Sequence, residues 1–215
     1  MPPCGPRPVQ LRHATMALTS DEYVTQQAWQ TASLERCPLH PQGGCGFARH
    51  TAYMRVEPSG MRVARYYCPA GHTTFSLLPD CLASRLSSTL AEVEQVVVVA
   101  ETAPTLEQAA EQLRPDIEMQ GAVRWVRRRL GPVRVALLAI VTLMAPVFGT
   151  VAPTITALQT TLGAGPVLVH LRDVAGAQLR SLPPPLGLGP RTQPRRSRQN
   201  RFQHEAGADP PGRRR

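Results

Sequence analysis

Two short clusters, Cys37-Pro-Leu-His40-Pro-Gln-Gly-Gly-Cys45 and Cys68-Pro-Ala-Gly-His72, carry the residue types with the clearest chemistry in this chain. Thiolates and imidazoles bind Zn²⁺ in a closed tetrahedron, and such sites hold together units too small to bury a large core. Pro and Gly in each cluster let the backbone turn sharply around an ion. The expected ligand set is Cys37, Cys45, Cys68 and His72, holding a structural zinc. His40 competes with Cys45, because Cys37 and His40 have two residues between them, the tighter spacing. Catalysis at the metal is not expected, since no His-x-x-Glu-His or His-x-Glu arrangement supplies an open position with a neighbouring acid or base. His50 and Cys81 are weaker ligand candidates and read better as structural residues.

A second group of residues points to phosphate. The segment Gly121-Ala-Val-Arg124-Trp125-Val-Arg127-Arg128-Arg129 reads as a helix with Val123, Val126 and Leu130 on one face. Arg124, Arg127 and Arg128 then face away from that stripe, free to reach phosphates or guanine edges. Against this stands the plain alternative that the run is a solvated helix end favoured by the dipole.

The elements that must position these residues follow from local patterns. Phe47 to Val56 and Met61 to Tyr67 read as strands separated by Glu57-Pro-Ser-Gly60, a hairpin that brings both ligand clusters to one end. Thr73 to Pro79 follows, with Phe75 and Leu77 covering the site's apolar side. Asp80 is expected to cap a helix through Leu86, Leu90 to Glu101 to form a second, and Thr105-x-x-Gln108 to open a third ending near Leu113. The Arg-bearing helix spans about 120–130. The result is an α+β chain, mainly α: a small β-hairpin metal unit, a helix-turn-helix-like region and a disordered basic tail. Its expected divisions are 1–27 (a Pro-rich, disordered start), 28–80 (the metal unit), 81–131 (the helix-turn-helix-like unit), 132–190 (an apolar helical segment) and 191–215 (the Arg-rich tail). Met16 is as good a start as Met1.

Composition bounds the function. All 24 basic residues of the 215-residue chain are arginine, and the net charge is +9. Residues 191–215 hold eight arginines against Glu205 and Asp209. An excess of this sign favours an acidic partner, here DNA. Five cysteines, an odd number clustered with histidines, and no apolar leader argue for an intracellular, cytoplasmic protein rather than a secreted disulfide framework. Val135 to Leu171 carries no formal charge, but its first apolar run ends at Pro146 and Gly149. That run is short of the roughly 20 residues needed to span a bilayer, so a membrane is not an expected partner. The 135–171 region could instead serve a protein partner. No phosphate loop, nucleophile elbow or carboxylate set suited to two-metal chemistry is present, so the chain is not expected to be an enzyme.

In Cys37-Pro38, Arg49-His50-x-x-Tyr53-x-Arg55, Arg65-Tyr-Tyr-Cys68, Thr74-Phe75-Ser-Leu-Leu-Pro79 and Arg124-Trp125-Val-Arg127-Arg128, the chain resembles the zinc-ribbon and helix-turn-helix N-terminal region of insertion-sequence transposases and related bacterial proteins. The resemblance covers about residues 35–130. It departs where that family commonly has a second Cys-x₂-Cys, and the catalytic domain that normally follows is missing. The resemblance therefore implies DNA binding and a mobile-element origin, in a transposase-like protein or a remnant of one, without transposition chemistry.

Overall fold

Alternating side chains divide the strands of the sheet between two cores. The computed structural model describes residues 8–15, 18–163 and 165–189. In order, the elements are β1 (Val9–His13), α1 (Ser20–Thr25), β2 (Ala48–Met54), β3 (Arg62–Cys68), β4 (Thr73–Pro79), α2 (Leu90–Thr102), α3 (Leu106–Leu113), α4 (Met119–Leu143), α5 (Ala145–Phe148), α6 (Ile155–Leu162) and α7 (Val167–Val174). The strand order is β1-β4-β3-β2, with β2, β3 and β4 antiparallel and β1 added parallel to β4. Ala64, Tyr66 and Cys68 of β3 join Phe75 and Leu77 of β4 in a small cluster around the cysteines. Val63 and Leu78 point the other way, into the main core. That split is the period-two pleat of a strand.

The segment before residue 28 is ordered where it is described, contrary to expectation. Val9-Gln-Leu-Arg-His13 pairs with Phe75 to Pro79 in register. Arg12 fixes it there: its Nε donates to Asp80 Oδ1 at 2.7 Å and its Nη2 to Asp80 Oδ2 at 3.0 Å. Farther on, Thr19 and Glu22 form a reciprocal capping box for α1. The Pro-rich opening hid a short strand whose partner lies far along the chain. Asp80 is thus occupied, and the expected helix through Leu86 is replaced by turns and a bridge between Leu82 and Thr89.

The expected helix starts at Leu90 and after Thr105 are present. Thr89 and Glu92 cap α2 reciprocally, and the Gln108 N–H donates to Thr105 Oγ1 at 3.2 Å. Val96 and Val97 are helical despite their β propensity, because both are buried among neighbouring helices. The Arg-bearing helix, however, does not stop near residue 130. It runs through Pro132 to Leu143. Val126, Leu130, Val133, Ala136, Leu137 and Ile140 form one buried stripe across the proline. Their packing outweighs the local cost of a mid-helix proline, about 3 kcal/mol.

Most of the uncharged segment after residue 132 is internal. Phe148, Ile155, Leu158, Val167, Leu168 and Leu171 share one core with Tyr23, Met61, Val63 and Leu90. The expected divisions at 80/81 and 131/132 fall inside this packed structure. Two α2 carboxylates hold the segment in place: Glu94 accepts the N–H groups of Val167 (2.9 Å) and Leu168 (2.8 Å), and Glu101 accepts that of Ile155 (3.1 Å). Each satisfies donors that a helix start leaves open. Arg172 is buried and donates to the carbonyls of Leu82 (2.6 Å), Pro185 (2.7 Å) and Asp80 (3.0 Å), tying the last described loop to the sheet. No described helix is long and apolar enough to cross a membrane. The Arg-rich tail, 191–215, lies outside the described residues.

Candidate metal centre

The β2–β3 hairpin does bring the ligand clusters together. Ala48 pairs with Tyr67, so the loop that ends at Cys45 meets the end of β3 at Cys68. Beneath them Phe47 stacks on Tyr66 at 5.3 Å and meets Phe75 edge-on at 5.9 Å. Phe75 and Leu77 are both buried in this cluster, where the sequence placed them.

Cys37, His40, Cys45 and Cys68 converge, with one donor atom from each lying within 4.8 Å of all the others. His40 Nδ1 lies 3.3 Å from Cys68 Sγ and 3.7 Å from Cys37 Sγ. A tetrahedral ion bound at about 2.0–2.3 Å holds its donors roughly 3.5–3.8 Å apart. The four side chains fit such an ion. The three cysteines are buried and not in disulfides.

Local backbone chemistry shapes each half of the site. The His40 N–H donates to Cys37 O at 3.2 Å, closing the first turn. In the second half the Gly71 N–H donates to Cys68 Sγ at 3.3 Å. A side chain at position 71 would meet Leu39 Cδ1 at 2.6 Å, so Gly71 lets the two turns lie against each other. Gly46, directly after Cys45, has φ +67°, a left-handed conformation that glycine adopts at little cost. Burial works to raise the Cys37 thiol, but hydrogen bonds from His40 and from the Leu39 and His40 backbone draw it down to about 7. Burial raises the Cys68 thiol, and the nearby Cys37 and Cys45 sulfurs add to that.

Both His40 and Cys45, posed as alternatives in the sequence, belong to the cluster. His72 does not: it is exposed, with Nδ1 3.5 Å from the Tyr67 hydroxyl and φ +44°. The left-handed turn after Gly71 carries its side chain to the Tyr67 side of β3, away from the sulfurs. His50 is exposed beside Tyr67, its ring centroid 6.1 Å away, and Cys81 is buried outside the site. The signal that finds His40 is the two-residue gap from Cys37, with Pro at the next position.

The arginine face lies on α4, away from the metal residues in sequence and element. Arg124, Arg127 and Arg128 are exposed, and Arg134 continues the exposed stretch. Arg129 turns inward instead: its guanidinium sits 3.8 Å over the Trp125 ring and Nη2 donates to Ser88 Oγ at 3.4 Å. The helix is seated on α2 and α3 through Val96, Ala110, Ala122, Val123 and Val126. Five residues, 114–118, join α3 to α4.

Comparison with protein-family models, with curated proteins and with solved structures finds no match.

Proposed function

We propose that this chain is a DNA-binding protein whose metal centre is structural zinc and whose α4 face contacts the phosphate backbone. Three buried thiols and an imidazole are the donor set that zinc prefers, and with all four positions taken by protein the ion has no open site for catalysis. The role is then binding rather than turnover. Zinc would pin the loop before β2 to the end of β3, and so stiffen the sheet against which the helices pack.

The observation that carries the DNA reading is the disposition of Arg124, Arg127 and Arg128. All three are exposed on one stretch of α4, and no ion pair among the described residues involves them. Arginine guanidinium groups so placed can contact phosphate with two hydrogen bonds each. The Arg-rich segment 191–215 would add sequence-independent affinity. The transposase-like reading rests on the resemblance of residues 35–130 and would make this a DNA-binding piece of a mobile element.

The test is a salt titration of binding to a duplex, read by fluorescence anisotropy. Replacing Arg124 and Arg128 by Ala should lower the magnitude of the log K against log salt slope by about 2, leaving zinc content and folded stability unchanged. An unchanged slope sinks the assignment of these residues. A protein partner is the second reading, favoured by Val135, Leu138, Leu143 and Val147, which remain exposed at the end of α4 and on α5. Concentration-dependent self-association in sedimentation, abolished by Leu138→Glu, would favour it.

A further inference from the structure

One face of the sheet is left partly open where β3 ends at Cys68. Val63 of β3 points into the main core, and Arg65 and Tyr67 follow it at alternate positions on the same face, only half-buried. Beside them on β2 stands His50, exposed. The strand order β1-β4-β3-β2 puts this patch at the edge of the sheet opposite β1. We infer that His50 and Tyr67 form a stacking platform for the bases of single-stranded DNA, with Arg65 holding a neighbouring phosphate.

A break in the strand pairing sets the rings in place. Arg49 pairs with Tyr66 and Thr51 with Arg65, and the register shifts between them, so His50 has no partner of its own on β3. An extra residue of this kind bends the strand and re-aims a side chain, and such bulges are common beside binding sites. The His50 ring meets Tyr67 edge-on, at 60° and 6.1 Å between centroids. An edge-on pair leaves ring face uncovered where a parallel stack would hide it. The Tyr67 hydroxyl lies 3.5 Å from His72 Nδ1. Tyr67 is thus held by its ring and by its hydroxyl while part of it stays open to solvent.

Arg65 supplies the charge. Its guanidinium lies 4.0 Å over the Tyr53 ring, which orients the planar group. Its side chain makes no hydrogen bond or ion pair among the described residues. The stack therefore fixes the guanidinium without using its donors, the arrangement that suits a phosphate.

Charge and shape together choose the occupant. Residues 36–79 hold five arginines and a single acid, Glu57, so this part of the chain attracts anions. An acidic peptide would meet the guanidinium and leave the two rings unmatched. A nucleotide offers a phosphate and a π-face at once, and stacking on aromatic side chains is how unpaired bases are held. A duplex hides its base faces, so the strand must be single. The choice of DNA rests on the reading of α4 above, although the platform shares no residue with that helix.

The probe is labelled oligo(dT) of about twelve nucleotides, titrated with the full-length, metal-loaded protein and read by anisotropy. An abasic strand of equal length and charge, oligo(rU) and a duplex are its counterparts. Oligo(dT) should bind about tenfold or more tightly than the abasic strand, since stacking acts only where there is a base. Tyr67→Ala should cut that preference about fivefold or more and leave the abasic strand and the duplex unchanged, which also shows that the variant is folded. Tyr67→Phe keeps the ring and should keep the preference. Arg65→Gln should weaken oligo(dT) and the abasic strand alike. Equal affinity for those two strands overturns the inference. So does a preference for bases that survives Tyr67→Ala combined with His50→Ala. Oligo(rU) bound about tenfold more tightly than oligo(dT) would overturn the choice of DNA. Unchanged duplex binding after replacing Arg124 and Arg128 by Ala counts against the α4 reading alone, because the Tyr67 contrast is read on single strands.

Discussion

His40 Nδ1 lies 3.3 Å from Cys68 Sγ, although 28 residues separate them in the chain. That contact joins the turn before β2 to the end of β3, and it places His40 rather than His72 in the cluster that could hold a metal ion. Protein purified without chelator should therefore hold one zinc per chain. His40→Ala and Cys68→Ser should each weaken metal binding by about tenfold or more, since loss of a ligand exceeds the effect of disturbing its outer partners. His72→Ala should keep full occupancy. Metal content by mass spectrometry after dialysis against a weak chelator decides it; metal lost from the His72 variant and kept in the His40 variant would reverse the ligand assignment.

Arg12 holds Asp80 with two hydrogen bonds and also reaches Asp173 at 2.7 Å. Asp80 is fully buried and accepts the Thr15 N–H as well, at 2.9 Å. Asp173 is about half exposed, at 48% of its side chain. Removing the buried partner leaves a guanidinium short of its counter-charge, whereas removing the exposed one is screened by water. Asp80→Asn should destabilise by about 2–4 kcal/mol and Asp173→Asn by about 1 kcal/mol or less. Urea unfolding of the two variants measures the contrast. Equal effects would mean that β1 is not docked on β4 in solution.

How much of this was legible in the sequence depended on whether the deciding partner was near or far. The caps at Thr89 and Thr105, the turn at Glu57–Gly60 and the hairpin that unites Cys45 with Cys68 rest on residues a few positions apart. The convergence of Cys37, Cys45 and Cys68 followed from the same local reading. β1 escaped notice because its register partners, Phe75 to Pro79, are more than 60 residues away. Asp80 looked like an N-cap because nothing local reveals Arg12. His72 was expected in the set and His40 only as a rival to Cys45; that His40 joins the cysteines and His72 does not turned on the direction of the backbone after Gly71, which the spacing of ligands does not encode.

The Arg-bearing helix, expected to end near residue 130, is longer for a related reason: α4 continues through Pro132 because the buried stripe on both sides is in phase. Proline there removes one backbone hydrogen bond and crowds the carbonyl of Arg128. Pro132→Ala should therefore stabilise the protein by about 1–3 kcal/mol, the helix gain being offset in part by a freer unfolded chain. Chemical denaturation with an unchanged m-value would show it. A loss of stability would mean that the helix is broken at this point and that the units on either side pack separately.

Cys81 supplies a test at alkaline pH. Burial pushes its thiol up from the ordinary value near 9 to about 11, against the opposing pull of Arg172. Below pH 9 the thiol is protonated in folded and unfolded chains alike, so stability does not change through this group. Between pH 9 and 11 the unfolded chain loses the proton and the folded chain keeps it, which favours unfolding. Two units correspond to roughly 2–3 kcal/mol lost across that window. Metal-bound thiolates are already ionised and do not titrate there. Tyr23, also raised by burial, adds its own loss toward the upper end of the window. Comparison with Cys81→Ala isolates the thiol. The variant should begin somewhat less stable at pH 8 and lose markedly less between pH 9 and 11, as followed by urea unfolding of the metal-loaded protein. Parallel curves for the two proteins would show that Cys81 is not buried as the fold requires.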